Sequence, residues 1–555
     1  MTEPTQGAPA VSRRTLVAGA SALAAVASVR PGPARAQPAA RYRRHNVASP
    51  AGQAMLASYK IAIRKMLALP PSDPRNWYTH ALVHTVDCPH GNWWFVVWHR
   101  GYLGWFEQVC RDLSGDPNFA FPYWDWTANP QVPAAMFDDV LSPTDPAFIA
   151  SLSAFQTQFT PRLDSFWNNL TPAQNSELLV RGERFPADLW FDIGPKGGPM
   201  FFPLANARGS TPARPGFDNI TAAAVSQPTL TAALKPTDFL GFASPKTLYH
   251  SNVSGFGVME GQPHNKVHNC TGGIWTDPNG HTTYGDGFMQ ANLSPVDPLF
   301  FLHHSNIDRL WDVWTRKQQA MGGPTLPDDN PGPYDKLGDR ARWRQEPFLF
   351  FTDVTGNPVP ASQAMAGAYE TIGAFNYDYE PGSGEEVIPR TAPALRGAVR
   401  APAPQTFAAR LRMPGPQSLA VAEAAVPAAL LARAAQPGGP VMIATITIAL
   451  PPLEHGHDIA VMVNTPEDAP GDPTDPGFVT TLSMFGRHVV HGPVSFDVPI
   501  NRTLTALSAR SRLAAANPLS IRVVRLAGGA MNAMHDQAAG QAAALQVLDI
   551  RVRAY

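Results

Sequence analysis

Histidine placement constrains this chain more than any other feature. Of sixteen histidines, most of those before residue 310 fall in two clusters: His80, His84, His90 and His99, then His264, His268, His303 and His304. Each cluster lies at or beside a helical pattern. His264 and His268 stand one helical turn apart, so both imidazoles face one side and can bind one ion. The zinc-protease version of such a pair needs Glu directly after the first His as general base, and here that position is Asn265. A third His from a later helix completes a triplet, and the upstream cluster supplies another, which makes two three-His metal sites. Imidazole-only ligation with an open position suits copper, zinc or iron. The absence of a Glu-x-x-His pattern argues against a carboxylate-bridged di-iron bundle. Six neutral ligands leave the metal charge uncompensated, which helps hold copper(I) and implies oxidative chemistry with dioxygen.

Met55, Leu56, Tyr59, Ile63, Met66 and Leu67 recur at three- and four-residue spacing, predicting a helix over residues 51–69 that Pro70-Pro71 stops. Further helical patterns run from about His99 to Leu113 and from about His304 to Trp314. Between about residues 127 and 254 the chain is rich in Pro, Asn, Gly and Ser, which predicts long loops over a helical core. The 57 prolines, about twice the average usage, favour the same reading. From about residue 380 to 440, Ala, Pro, Arg and Gly dominate with poor patterning, the composition of an interdomain connector. Segments 441–448, 459–463, 520–524 and 545–552 are then rich in β-branched residues and separated by turn residues. The expected fold class is α + β multidomain: a mainly α-helical four-helix-bundle core with long loops, followed by a C-terminal β-sandwich. The expected limits are 37–385 for the helical domain, 386–440 for the linker and 441–555 for the β-sandwich.

Ser12-Arg13-Arg14-Thr15-Leu16-Val17 precedes an alanine-rich apolar run, and Ala34-Arg35-Ala36 has the small-x-small form a signal peptidase cuts after. Residues 1–36 therefore read as a twin-arginine-type signal peptide, giving an exported protein, periplasmic or secreted. That route carries folded proteins and suits an enzyme loaded with metal before export. Beyond residue 40 no apolar run reaches the roughly 20 residues needed to span a bilayer, so no membrane contact is expected of the mature form. Forty-three basic against 44 acidic residues give a net charge of -1, without the basic excess that phosphate-backbone binding requires. Nucleic acid is thereby excluded as an expected partner. Cys88, Cys110 and Cys270 are too few and odd in number for a disulfide framework.

Two long signatures carry a resemblance. The first is His90-x4-Phe95-Val96-x-Trp98-His99-Arg100-x2-Leu103-x3-Glu107, and the second is Asp297-Pro298-x-Phe300-Phe301-x2-His304-x3-Asp308. Both resemble the tyrosinase, catechol oxidase and haemocyanin superfamily of dicopper proteins. The segment from Trp77 to Trp126 looks most like bacterial tyrosinases, and the similarity runs over about residues 40 to 380, closing on Tyr377-Asp378-Tyr379. The resemblance implies two copper ions and dioxygen as co-substrate. It implies His90 and His99 as second and third ligands of the first copper site, with His84 as the first and His80, one turn earlier, as its rival. For the second site it implies His264, His268 and His304, with His303 in a supporting hydrogen-bonding role.

In fungal tyrosinases and molluscan haemocyanins a Cys two residues before the second ligand is joined to that His by a thioether. The resemblance implies the same crosslink between Cys88 and His90, an ordinary buried thiol being the other reading of Cys88. Catechol oxidation removes two electrons and two protons, whereas hydroxylating a monophenol first demands a phenolic proton of pKa near 10. In members that hydroxylate efficiently, a Glu before the first ligand of the second site and an Asn directly after that ligand hold a water. Glu260 and Asn265 occupy those places, and their plainer readings are a loop carboxylate and a turn-forming Asn.

The implied activity is a copper-dependent monophenol and o-diphenol oxidase acting on small phenols. A catechol oxidase without monophenol activity is the alternative, and a haemocyanin-like dioxygen binder a more distant one. A copper chaperone is the protein partner such a site would call on. The β-rich segment resembles C-terminal domains that cover the copper pocket in this superfamily. Met484-Phe485-Gly486 reads first as core packing and otherwise as a plug over that pocket.

Overall fold

The computed structural model describes residues 41–149, 152–193, 208–283, 285, 287–329, 338–390, 403–412, 418–450, 458–485, 492–513, 518–526 and 545–555. The expected signal peptide over 1–36 lies outside these residues, as does Gly486.

Helix α1 (Pro50–Ala68) begins where the Ser49 side chain accepts the Gly52 N–H, and it buries Leu56, Tyr59, Ile63 and Met66 on one face. Helix α2 (Trp77–Asp87) starts at Asn76, whose side chain accepts from the Tyr78 N–H. Helix α3 (Phe95–Ser114) ends on Gly115 at φ 76°. Helices α4 (Asn265–Gly272) and α5 (Leu299–Met321) likewise end on left-handed glycines. Between these helices lies an aromatic core. Phe106 stacks on Phe301 at 3.9 Å, Phe121 lies against both rings, and Tyr59 and Trp77 close the edges. Helices α2, α3, α4 and α5 carry the clustered histidines except His90, in the loop between α2 and α3, and His264, directly before α4.

The expectation of long loops over 127–254 is corrected in part. Helices occupy Leu152–Asn168, Pro172–Arg181, Pro186–Ile193, Asn219–Ala224 and Gln227–Leu234. Their start signals are local and lie inside Pro- and Ser-rich sequence. Thr171 and Gln174 form a reciprocal capping box, and Asp218 caps the Thr221 N–H.

Both ends of the helical part meet in one small parallel pair, β1 (Tyr42–Arg44) against β3 (Tyr377–Tyr379), with β2 (Gly255–Phe256) between them in sequence. Arg44 is buried and donates to Glu107 at 2.9 Å, to Asp308 at 3.1 Å and to the Tyr379 hydroxyl at 2.8 Å. Asp308 also accepts from Arg100 at 2.6 Å and from the hydroxyls of Tyr377 and Tyr379. Burial alone would raise the Asp308 carboxyl, yet Arg100 and Arg44 hold it below its ordinary range. This hub pins the N-terminal strand, α3, α5 and the Tyr-x-Tyr strand to one another.

The C-terminal part is built on strands β4 (Gln405–Arg412), β5 (Ala420–Ala424), β6 (Met442–Ala449), β7 (Ile459–Val463), β8 (Phe478–Thr481), β9 (Val494–Pro499), β10 (Leu519–Arg525) and β11 (Gln546–Ala554). The sheet order is β8-β7-β10-β5-β4-β11-β6-β9-β2. Strand β4 pairs through residues 405–408 with β11 and through residues 409–412 with β5. The sheet therefore curls at β4, and its two halves share one core that includes Ile446, Ile550, Val461 and Val523. The expected connector over 386–440 is corrected here, because β4 and β5 lie within it. Phe407, Ala409 and Leu411 alternate along β4 at the strand period, but small and charged neighbours mask the pattern.

The helical part contributes β2 to the edge of this sheet, parallel to β9, with Gly255 opposite Ser495. A Cβ on Gly255 would lie 2.0 Å from the Ser495 hydroxyl oxygen, so the close approach requires glycine. Residues 41–555 consequently form one compact unit. Among the described residues no helix is long and apolar enough to cross a membrane.

Asp308→Asn leaves two buried guanidinium groups undercompensated. It is expected to lower the unfolding free energy by about 3–5 kcal/mol, read from the denaturant midpoint.

Candidate metal centre

The structure gathers two groups of potential ligands: His84, Cys88, His90 and His99, and His264, His268, His303 and His304. Within each group the ligand atoms lie within 4.8 Å of one another and all are buried. His80 is outside the first group, its ring against Phe106 at 5.0 Å. The two groups face each other, with the His99 and His304 rings stacked at 4.2 Å and the His90 and His264 rings 5.6 Å apart.

Backbone carbonyls set the tautomers. Nδ1 of His84 is 2.6 Å from the Asn292 carbonyl oxygen, Nδ1 of His99 is 2.7 Å from that of Phe95, and Nδ1 of His268 is 2.7 Å from that of Met289. A carbonyl only accepts, so each Nδ1 carries the hydrogen and each Nε2 presents a lone pair. His264 donates from Nδ1 to the Asn265 Oδ1 at 2.8 Å. The orientation of that amide is set by its other end, where Nδ2 donates to the Ser483 carbonyl at 2.8 Å.

Several observations test the fit to a metal pair. Among the described residues the buried Nε2 of His264 has no hydrogen-bond partner. The Nε2 atoms of His268 and His304 are 3.0 Å apart. At a metal–imidazole distance of roughly 2.0–2.1 Å, two neighbouring ligand nitrogens stand about 3 Å apart. Burial pushes His99 down to about 3, the Phe95 carbonyl opposing. Burial also holds His264, His268 and His304 well below the usual imidazole range, and their histidine neighbours add to it. Neutral imidazoles are the ligating form. The donor set fits two ions held by nitrogen ligands. His303 belongs to the second group, its ring 5.3 Å from that of His264 and 4.8 Å from that of His268.

The Cys88 sulfur is 3.6 Å from Nε2 and 3.7 Å from Nδ1 of His90, so it faces the ring carbon between them. It is also 3.3 Å from Nε2 of His99. Burial raises the thiol well above its ordinary pKa. Cys110 and Cys270 are buried and free.

Glu260 opens a π-helical turn, Glu260–His264, that leads into α4. Pro263 inside it supplies no N–H for a regular helical bond. The buried Glu260 carboxylate accepts from the Gly91 N–H and from the Ser244 hydroxyl, each at 2.6 Å. Burial raises it to about 8 against the pull of those two donors.

The residue that sequence reasoning ranked lower is Phe485. It is fully buried, and its ring lies 4.0 Å from His268, 4.9 Å from His90, 5.5 Å from His264 and 6.1 Å from His84. The segment before it is tied to the ligand-bearing turn and α4. Thr480 donates to Gln262 at 3.0 Å, Asn265 and Asn269 donate to the carbonyls of Ser483 and Met484, and the buried Lys266 ammonium donates to the hydroxyls of Thr481 and Ser483. An aromatic after a strand end carries no sign of which domain it will pack against.

Residues 72–317 match a family model described as the common central domain of tyrosinase. A chloroplastic polyphenol oxidase of Spinacia oleracea is 28% identical over 349 residues, covering 59% of this chain and 45% of the relative. Polyphenol oxidase II, chloroplastic, of Ipomoea batatas is 30% identical over 284 residues, covering 48% of this chain and 40% of the relative. The chain thus spans under half the length of these curated relatives. A solved structure of latent aurone synthase, a polyphenol oxidase from a natural source, has a similar fold, with a TM-score of 0.51 at 16% identity, over 93% of this chain and 90% of that one.

Proposed function

Since the chain belongs to the tyrosinase and polyphenol oxidase family, whose cofactor is a pair of copper ions, we propose that it is a copper-dependent phenol oxidase that hydroxylates monophenols and oxidises catechols to o-quinones with dioxygen. The observation that carries this reading is the pair of buried histidine groups presenting Nε2 lone pairs toward one another. His84, His90 and His99 would hold one ion, and His264, His268 and His304 the other. The chemistry that copper supplies there is electron transfer from the phenol to dioxygen.

The protein's own groups do the remaining work. Burial of the six rings excludes water, and the carbonyls of Phe95, Met289 and Asn292 keep three of them in the ligating tautomer. Glu260 is the group suited to receive a phenolic proton, since it is buried beside Gly91 and titrates near 8. Asn265 orients His264 and would share a water with Glu260. Cys88 would lose its S–H hydrogen and His90 a ring C–H hydrogen as the thioether forms, with two electrons and two protons passing to dioxygen. The reading includes an exported protein, supported by the twin-arginine pattern at Arg13-Arg14.

A catechol oxidase is the second reading, and one observation favours it. Both Glu260 oxygens and both ends of the Asn265 amide already have protein partners, so a shared water has only their remaining lone pairs and the second Nδ2 hydrogen to bind. We assign the C-terminal domain the role of a cover, with Phe485 as the side chain laid over the pocket.

Glu260→Gln separates the two activities. Loss of a general base is expected to lower monophenol turnover by about 10²–10⁴-fold, with catechol turnover within a few-fold of the parent, both followed by oxygen uptake. In the parent, the ratio of monophenol to catechol turnover should rise as pH passes through about 8, where Glu260 loses its proton. Equal losses on the two substrates would leave the catechol oxidase reading standing.

A cover open in roughly 0.1–10% of molecules reduces apparent substrate affinity by the same fraction. Phe485→Ala in the intact chain is therefore expected to raise catechol oxidation at low substrate at least about tenfold. Unchanged rates would remove Phe485 from the cover. Intact-mass measurement of copper-loaded protein should give a mass two hydrogens below the sequence value, and Cys88→Ser should abolish that deficit.

A further inference from the structure

Between the end of α2 at Asp87 and the start of α3 at Phe95 the chain has no regular structure, and this loop carries Cys88 and His90. A single distant residue holds both of its ends. His250 Nε2 is 3.1 Å from Oδ1 of Asp87, the residue just before Cys88. The His250 carbonyl accepts at 2.8 Å from Nδ2 of Asn92, near the far end of the loop, and the Asn252 carbonyl accepts from the same amide at 2.9 Å. On its other side His250 is anchored to Glu346, which accepts from both Nδ1 and the His250 backbone N–H, each at 2.8 Å.

Carboxylates only accept, so Asp87 and Glu346 place a hydrogen on each ring nitrogen, and His250 is an imidazolium. Burial alone would lower its pKa, but Asp87 and Glu346 raise it to about 9. The ring is 3% exposed, so this cation is the compensation for two carboxylates shut away from water. Asp87 has a further task, because its other oxygen accepts from Trp98 Nε1 at 2.7 Å. The Trp98 ring lies 5.0 Å from His99 and 5.9 Å from His84. Three residues of the first histidine group, His84, His90 and His99, are thus touched or flanked by what His250 holds.

The strap continues from His250. The N–H groups of Ser254 and Gly255 donate to the Gly91 carbonyl at 2.9 and 3.1 Å. Gly91 sits at φ +63°, and a Cβ there would come within 2.6 Å of the Val253 side chain. The loop therefore has room for the strap only as glycine.

We propose that His250 is a positioning residue for the first copper site, holding the Cys88–His90 loop closed by bridging Asp87 and Asn92. This deepens the phenol oxidase reading and rests on it. His250→Asn keeps the backbone carbonyl but cannot span Asp87 and Glu346. Copper binding is measured by chelator competition on full-length chains in two backgrounds. In His268→Ala the first group alone is complete; in His99→Ala the second alone is complete.

The expected result is a loss of copper affinity of about 10–100-fold, as found for residues that orient metal ligands, in the first background and no change in the second. The copper(II) electron paramagnetic resonance spectrum should shift in the first background alone. Equal weakening in both backgrounds would mean a general structural role, and unchanged affinity in the first would mean no role; either overturns the proposal. Should His250→Asn fail to fold, Asn92→Asp serves. It keeps the Oδ1 that accepts from the Trp94 N–H but removes the amide donor, and the same selective loss is expected. Failure of the unaltered backgrounds to bind copper at all would overturn the copper reading itself, and this proposal with it.

Discussion

Everything at the centre depends on backbone carbonyls that accept hydrogen bonds from imidazoles in the absence of water. A buried neutral histidine can place its hydrogen on either nitrogen, and the choice decides which nitrogen can bind a metal. Here the carbonyls of Phe95, Met289 and Asn292 make that choice for His99, His268 and His84. One of these acceptors lies a turn earlier on the same helix, and the other two come from the turns around residues 288–296 that precede α5. Ligand chemistry is therefore a property of the packing of those turns against α2 and α4. Burial supplies the second half of the constraint, since it keeps the rings uncharged at neutral pH.

The Asp308 hub serves the same end at longer range. Arg100 follows His99 directly, and Asp308 lies one turn beyond His304. Their 2.6 Å contact sets α3 against α5 next to the stacked rings of His99 and His304. Arg44 then draws the first described strand onto the same carboxylate. Glu107 and Asp308, the acidic residues that close the two long signatures, are thus what pairs the signatures in space.

How much was legible follows from how local each signal is. The grouping of the histidines was readable because helical spacing places His264 and His268 on one side and because the signatures are long. The fold class was readable from the change of texture after residue 440. Strands β4 and β5 were not, because alanine and arginine conceal an alternation that only pairing with β11 and β10 makes meaningful. The helices between residues 152 and 234 were hidden by the prolines that open several of them. His250 carries no motif. Its partners are 163 and 96 residues away, and a lone histidine before a serine gives no hint of two buried carboxylates.

The ceiling formed by Phe485 has a consequence for the order of events in the life of the molecule. Its ring touches histidines of both groups, and those histidines are all but sealed from solvent. While that ceiling is down, no macromolecule can reach these histidine nitrogens, so under the copper reading a delivering protein would have to act before closure. If the chain is the phenol oxidase proposed above, time is written into its architecture: metal first, cover second, and phenol only after the cover has lifted. A chain that crosses a membrane already folded would carry the first two steps out with it, leaving the third for its destination.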